Sequence, residues 1–136
     1  MSPHDALAKE IREWLLRARG DLSACSALIA ADLPSEALFH AQQCAEKAIK
    51  ALLTWNQVTF KKTHDLDELK QACFPFAGDA TPHLTDIGKL SQYAWLFRYL
   101  GTPYAPERKE AEEIRLAAEE LLLAISARLE SQFGES

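Results

Sequence analysis

At 136 residues the chain suits one domain, 1–136, with one core. Hydrophobic residues make up 48% and charged residues 26%, a balance that excludes a disordered chain, and no run approaches the ~18–20 apolar residues of a membrane span. A net charge of −5 argues against binding along a DNA backbone, because neutralising phosphates needs an excess of Lys and Arg.

The first element opens at SPHDA, where Ser2 can cap, Pro3 fits the first helical position and Asp5 favours the positive end. Leu7, Ile11, Trp14, Ala18, Leu22, Cys25 and Ile29 recur in steps of three and four, which predicts one long amphipathic helix. Gly20 inside it marks a bend or a close helix approach. After Asp32-Leu33-Pro34-Ser35, a second helix is expected over Pro34–Trp55. A short third follows THDLDEL, about Leu66–Cys73, with Asp65 and Glu68 as a capping box. FPFAGDATP reads as a connection. A fourth helix covers about His83–Tyr99, and a fifth runs from about Glu107 to Phe133. No stretch alternates with a strand period. The expected fold is all-α: an up-and-down four-helix bundle with an additional short helix.

Cys25, Cys44 and Cys73 form no CxxC pair and no metal spacing, so buried reduced thiols in a cytoplasmic protein are expected. MSPHDALAKE lacks a basic segment followed by an apolar one, so no secretory signal is expected. No Gly-rich phosphate loop or Glu-x-x-His pair is present, and no metal or cofactor is expected.

The second helix, with the stretch FHAQQCAEKAIKALL, carries the candidate chemistry. Its small residues, Ala41, Cys44, Ala45 and Ala48, allow close approach and predict a central helix. His40, Gln43, Lys47 and Lys50 share an arc of roughly 80° on the other side. Two readings stay open. One makes this a solvated face, with Glu46 and Lys50 an ordinary i,i+4 pair. The other brings His, Gln and two Lys onto a ligand phosphate or base. Lys47, Lys50, Lys61 and Lys62 lie in a stretch with no acidic residue, a local basic patch that suits a small phosphorylated ligand.

Three stretches in order, FHAQQCAEKAIKALL, KKTHDLDEL and YAWLFRYLG, resemble the HEPN domain (higher eukaryotes and prokaryotes nucleotide-binding), over about residues 8–130. The resemblance implies a helical bundle that usually dimerises and is often paired with a small nucleotidyltransferase. It also implies functions ranging from nucleotide binding through RNA cleavage to non-catalytic scaffolding. RNase members carry an Arg followed four to six residues later by a His, and cleave without metal. Here the Arg is Arg98, Tyr104 stands where the His belongs, and no His follows His83. A neutral Tyr, with a pKa near about 10, is a poor base at pH 7. The resemblance therefore implies the non-nuclease branch: a homodimeric module that binds a nucleotide or partners a nucleotidyltransferase. A divergent RNase and a purely structural dimerisation module are the alternatives. Matching positions are His40, Gln43, Lys47, His64, Arg98 and Tyr99, with Lys50 and Tyr104 as further ligand candidates. His64 also has a local reading, organising the turn before the short helix with Thr63 and Asp65. Trp55, Phe60, Tyr93, Trp95 and Tyr99 are more aromatics than one small bundle leaves wet, so some are expected on a partner surface.

Overall fold

A computed structural model describes residues 2–60, 66–88 and 106–133. They form helices α1 (Pro3–Ala30), α2 (Pro34–Trp55) and α3 (Leu66–Ala77), a 3-10 turn (Gly78–Ala80), α4 (81–88) and α5 (Arg108–Phe133). No strand occurs among the described residues. Helix α2 packs against α1, α5 and α3, the central position its small residues predict. Ala37, Ala41, Cys44, Ala45 and Ala48 are all fully buried, so neighbouring backbones can approach closely. Ile11, Ile49, Leu52, Leu53, Leu121, Ile125 and Leu129 fill the space between the helices.

The helix ends follow local chemistry. At the start of α1, Ser2 and Asp5 form a reciprocal capping box, with Pro3 behind the cap. α1 ends in a Schellman motif: the amides of Asp32 and Leu33 donate to the carbonyls of Ile29 and Leu28. α2 ends the same way, with Gln57 and Val58 donating to Thr54 and Leu53. In both motifs the left-handed position falls to a non-glycine residue, Asp32 (φ 61°) and Gln57 (φ 56°).

Three expectations need correction. Gly20 marks no close helix approach: α1 runs unbroken through it, and an added Cβ meets nothing within 4 Å. Helix α3 continues past Cys73 through Phe74, Pro75 and Phe76, so the expected connection is helical up to Ala77. The break comes at Gly78, whose φ of 53° suits glycine. There the Arg128 side chain packs against the turn and its Nε donates to the Phe76 carbonyl at 2.6 Å. Trp55 and Phe60 are partly buried and packed against the core rather than exposed. Tyr93, Trp95 and Tyr99 lie outside the described residues, as does the capping position Asp65.

All three cysteines are free and buried. Burial pushes the Cys25 thiol up to about 11, against the pull of Arg115. It pushes Cys44 and Cys73 up to about 12, with Asp21 adding to the effect at Cys44. Unfolded thiols ionise near about 8.5. The native thiols stay protonated while the unfolded ones lose protons, so their contribution is complete below about pH 8.5 and is lost as pH rises toward 11–12. The urea midpoint is therefore expected to fall between about pH 8.5 and 10.5, and Cys73→Ala to fall less steeply. Parallel curves for the two proteins would show that Cys73 does not contribute.

Candidate functional site

A carboxylate on α1 organises the polar side of α2. Asp21 Oδ1 lies 2.9 Å from His40 Nδ1, and Asp21 Oδ2 accepts from Lys47 Nζ. An ionised carboxylate only accepts, so Nδ1 carries the proton in this contact. Nε2 of the imidazole and two N–H groups of the Lys47 ammonium are not used by Asp21. The Asp21 side chain is 11% exposed and that of His40 is 33% exposed. An anchored carboxylate thus holds two more accessible cation-forming groups side by side, fixing both their positions and the imidazole tautomer. Beside them stands Phe39, half-exposed, its ring edge-to-face with His40 at 5.3 Å between centroids.

One turn further along α2 the chemistry changes. Glu46 and Lys50 are 4% and 8% exposed. Lys50 Nζ donates to Glu46 Oε1 at 2.8 Å, and Gln43 Nε2 donates to Glu46 Oε2 at 3.3 Å. The Lys50 ammonium also lies 5.6 Å from the Trp14 ring and 5.8 Å from the Phe60 ring, within cation–π range. The solvated i,i+4 pair of the first sequence reading is instead a buried one. It ties α2 to α1 and to the segment after α2. The four residues of the expected arc therefore divide. His40 and Lys47 share Asp21, Gln43 turns to Glu46, and Lys50 is enclosed by two rings and a carboxylate. His64, Arg98, Tyr99 and Tyr104 lie outside the described residues.

Other features are separate. His83 is 3.8 Å from Glu120 across α4 and α5, an ion-pair distance but too long for a hydrogen bond. An open cleft of about 540 Å³ is lined by Ser26 and Ile29 of α1 and by Lys109, Glu112, Glu113, Arg115 and Leu116 of α5. Among the described residues no group of three His, Cys, Asp or Glu side chains can hold a metal ion. No helix there is long and apolar enough to cross a membrane.

The sequence model of the HEPN domain matches residues 11–128, from within α1 to within α5. The chain belongs to the HEPN domain family. The crystal structure of an archaeal HEPN homologue superimposes with a TM-score of 0.65 at 22% identity. The match covers 86% of this chain and 95% of that one. At this identity the likeness shows the fold. No curated protein matches.

In this HEPN domain the polar cluster belongs to the α1–α2 hairpin, the most extensive helix pairing among the described residues. Asp21 and Phe39 were not among the residues singled out by sequence. Asp21 was findable. The turn centres on Asp32, and eleven residues before it stands Asp21. Eleven residues after it stands Gln43, between His40 and Lys47. An antiparallel hairpin sets these positions opposite one another. Phe39 carried no comparable signal, since a single aromatic beside a histidine fits many helix faces.

Proposed function

We propose that this HEPN domain is a non-catalytic, homodimeric module of the cytoplasm that binds a nucleotide through His40 and Lys47. A small nucleotidyltransferase is its expected protein partner, from the habit of the family. The observation that carries the binding half is the shared carboxylate: Asp21 positions an imidazole and an ammonium together, the ammonium keeping N–H groups that can donate to a phosphate and the imidazole keeping Nε2 for a hydroxyl or N–H of the ligand. The half-exposed Phe39 ring beside them offers a surface for a nucleobase. The absence of any His after His83 removes the family's nuclease pairing with Arg98 and supports a binding role over cleavage. Calorimetric titration with ATP and other nucleotides at low salt, where exposed charge contacts are least screened, is the test. Heat of binding is expected, and no heat with any nucleotide would end the proposal.

One observation favours a second reading. A carboxylate on Nδ1 also orients an imidazole for general-base work through Nε2. As a divergent metal-independent RNase, the protein would cleave RNA in EDTA and lose that cleavage in His40→Ala. Under the binding reading RNA stays intact over hours.

A further inference from the structure

Helix α5 presents more than a solvated back. Its exposed positions include Lys109, Leu116, Leu123 and Glu130, each seven residues after the last. A seven-residue spacing keeps them on one stripe of the helix, with about 20° of drift per heptad. Leu116 is 48% exposed and Leu123 is 61% exposed, while the opposite face of α5 supplies Ile114, Leu121, Ile125 and Leu129 to the core. Two large apolar side chains in register on an otherwise charged face, with nothing among the described residues covering them, mark an interaction surface.

The order of the stripe says which partner fits. It reads cation, Leu, Leu, anion. If a second α5 lies antiparallel across a two-fold axis midway between Leu116 and Leu123, each Leu116 faces the other copy's Leu123. Each Lys109 then faces the other copy's Glu130. The surface is complementary to itself, as a two-fold interface requires. In the same register Glu112 falls opposite Ala127, so it meets no like charge. Near the axis Glu119 and Glu120 approach their counterparts. Glu119 already accepts from Arg115 at 2.6 Å, and Glu120 lies 3.8 Å from His83 Nδ1, so each carboxylate has a nitrogen-bearing neighbour in its own copy. Lys109, Glu112, Glu113 and Leu116 stand at i, i+3, i+4 and i+7, the outline of a four-residue hole for an incoming side chain. These four also line one wall of the α1–α5 cleft.

We propose that two copies of this chain associate through α5, antiparallel, with Leu116 packed on Leu123 of the partner and Lys109 paired with Glu130 of the partner. This rests on the homodimer reading above and names its surface.

Light scattering and sedimentation over micromolar concentrations test the surface. Wild type is expected at twice the monomer mass. Leu123→Glu is expected to run as a monomer with an unchanged circular dichroism spectrum, since the position is exposed and contributes nothing to the core. Lys109→Glu and Glu130→Lys each place like charges opposite one another, and each is expected to weaken association about tenfold or more. The double variant Lys109→Glu/Glu130→Lys is expected to regain it. A wild-type dimer indifferent to Leu123→Glu, or single charge variants that the double fails to rescue, overturns this surface while leaving the homodimer reading intact. A wild-type monomer throughout overturns both. Nucleotide titration reads binding and not association, so its failure is separable from these outcomes.

Discussion

Lys50→Ala is expected to destabilise the fold by about 3–5 kcal/mol, the range for breaking a buried ion pair by removing one partner. The cost comes from what is left behind. Glu46 stays 4% exposed, keeps Gln43 at 3.3 Å, and loses the ammonium that offset its charge at 2.8 Å. Its choices are to carry its charge without this ammonium or to take up a proton, and both cost free energy. The lost contacts with Trp14 and Phe60 add to this, because the lysine stem and ammonium fill the space between those rings. Replacing both partners tells a different story. Glu46→Leu/Lys50→Met removes both charges and keeps apolar volume, and is expected to cost less than Lys50→Ala alone. Urea unfolding of the two single variants and the double closes the cycle. A Lys50→Ala cost below about 1 kcal/mol would mean that the pair is effectively solvated.

Lys47→Ala is expected to weaken nucleotide binding by about ten- to a hundredfold, corresponding to the roughly 1.5–3 kcal/mol of one charge-assisted hydrogen bond. Two effects act in the same direction. The variant loses the ammonium proposed to meet the phosphate, and it uncovers part of the Asp21 carboxylate, which would then repel the ligand. Asp21→Asn is less decisive: it removes a negative charge near the phosphate while releasing both groups it positions, and these oppose. Lys9→Ala, exposed on α1 and outside the cluster, serves as the control and should bind as wild type. Equal affinity in Lys47→Ala and wild type would remove Lys47 from the site.

Much of the fold was legible because it is written locally. The apolar steps of α1, the Ser2–Asp5 capping box and the run of small residues in α2 each specify their structure within a few turns of chain. What escaped sequence reading depends on partners far away in sequence. Pro75 suggested a break, yet α3 ends only at Ala77, where Arg128 reaches 52 positions back to the Phe76 carbonyl. Gly20 invited a close approach, but no neighbour comes near it. The candidate site divided for the same reason. On a helical wheel His40, Gln43, Lys47 and Lys50 form one polar arc. Which of them meet water depends on Trp14, Asp21 and Phe60, carried by other segments. Charge on a helix face is visible in sequence, whereas its neutralisation by another element is a property of packing.

The central claim is that His40 and Lys47, held by Asp21, receive a nucleotide. Backbone amide chemical shifts of the labelled protein, followed as ATP is added, test both halves of it at once. The expected result is a saturable set of shifts centred on Asp21 and on residues 39–47, with the α5 residues Lys109–Leu116 unmoved. Shifts centred instead on the α1–α5 cleft, or no saturable shifts with any nucleotide, would contradict the account.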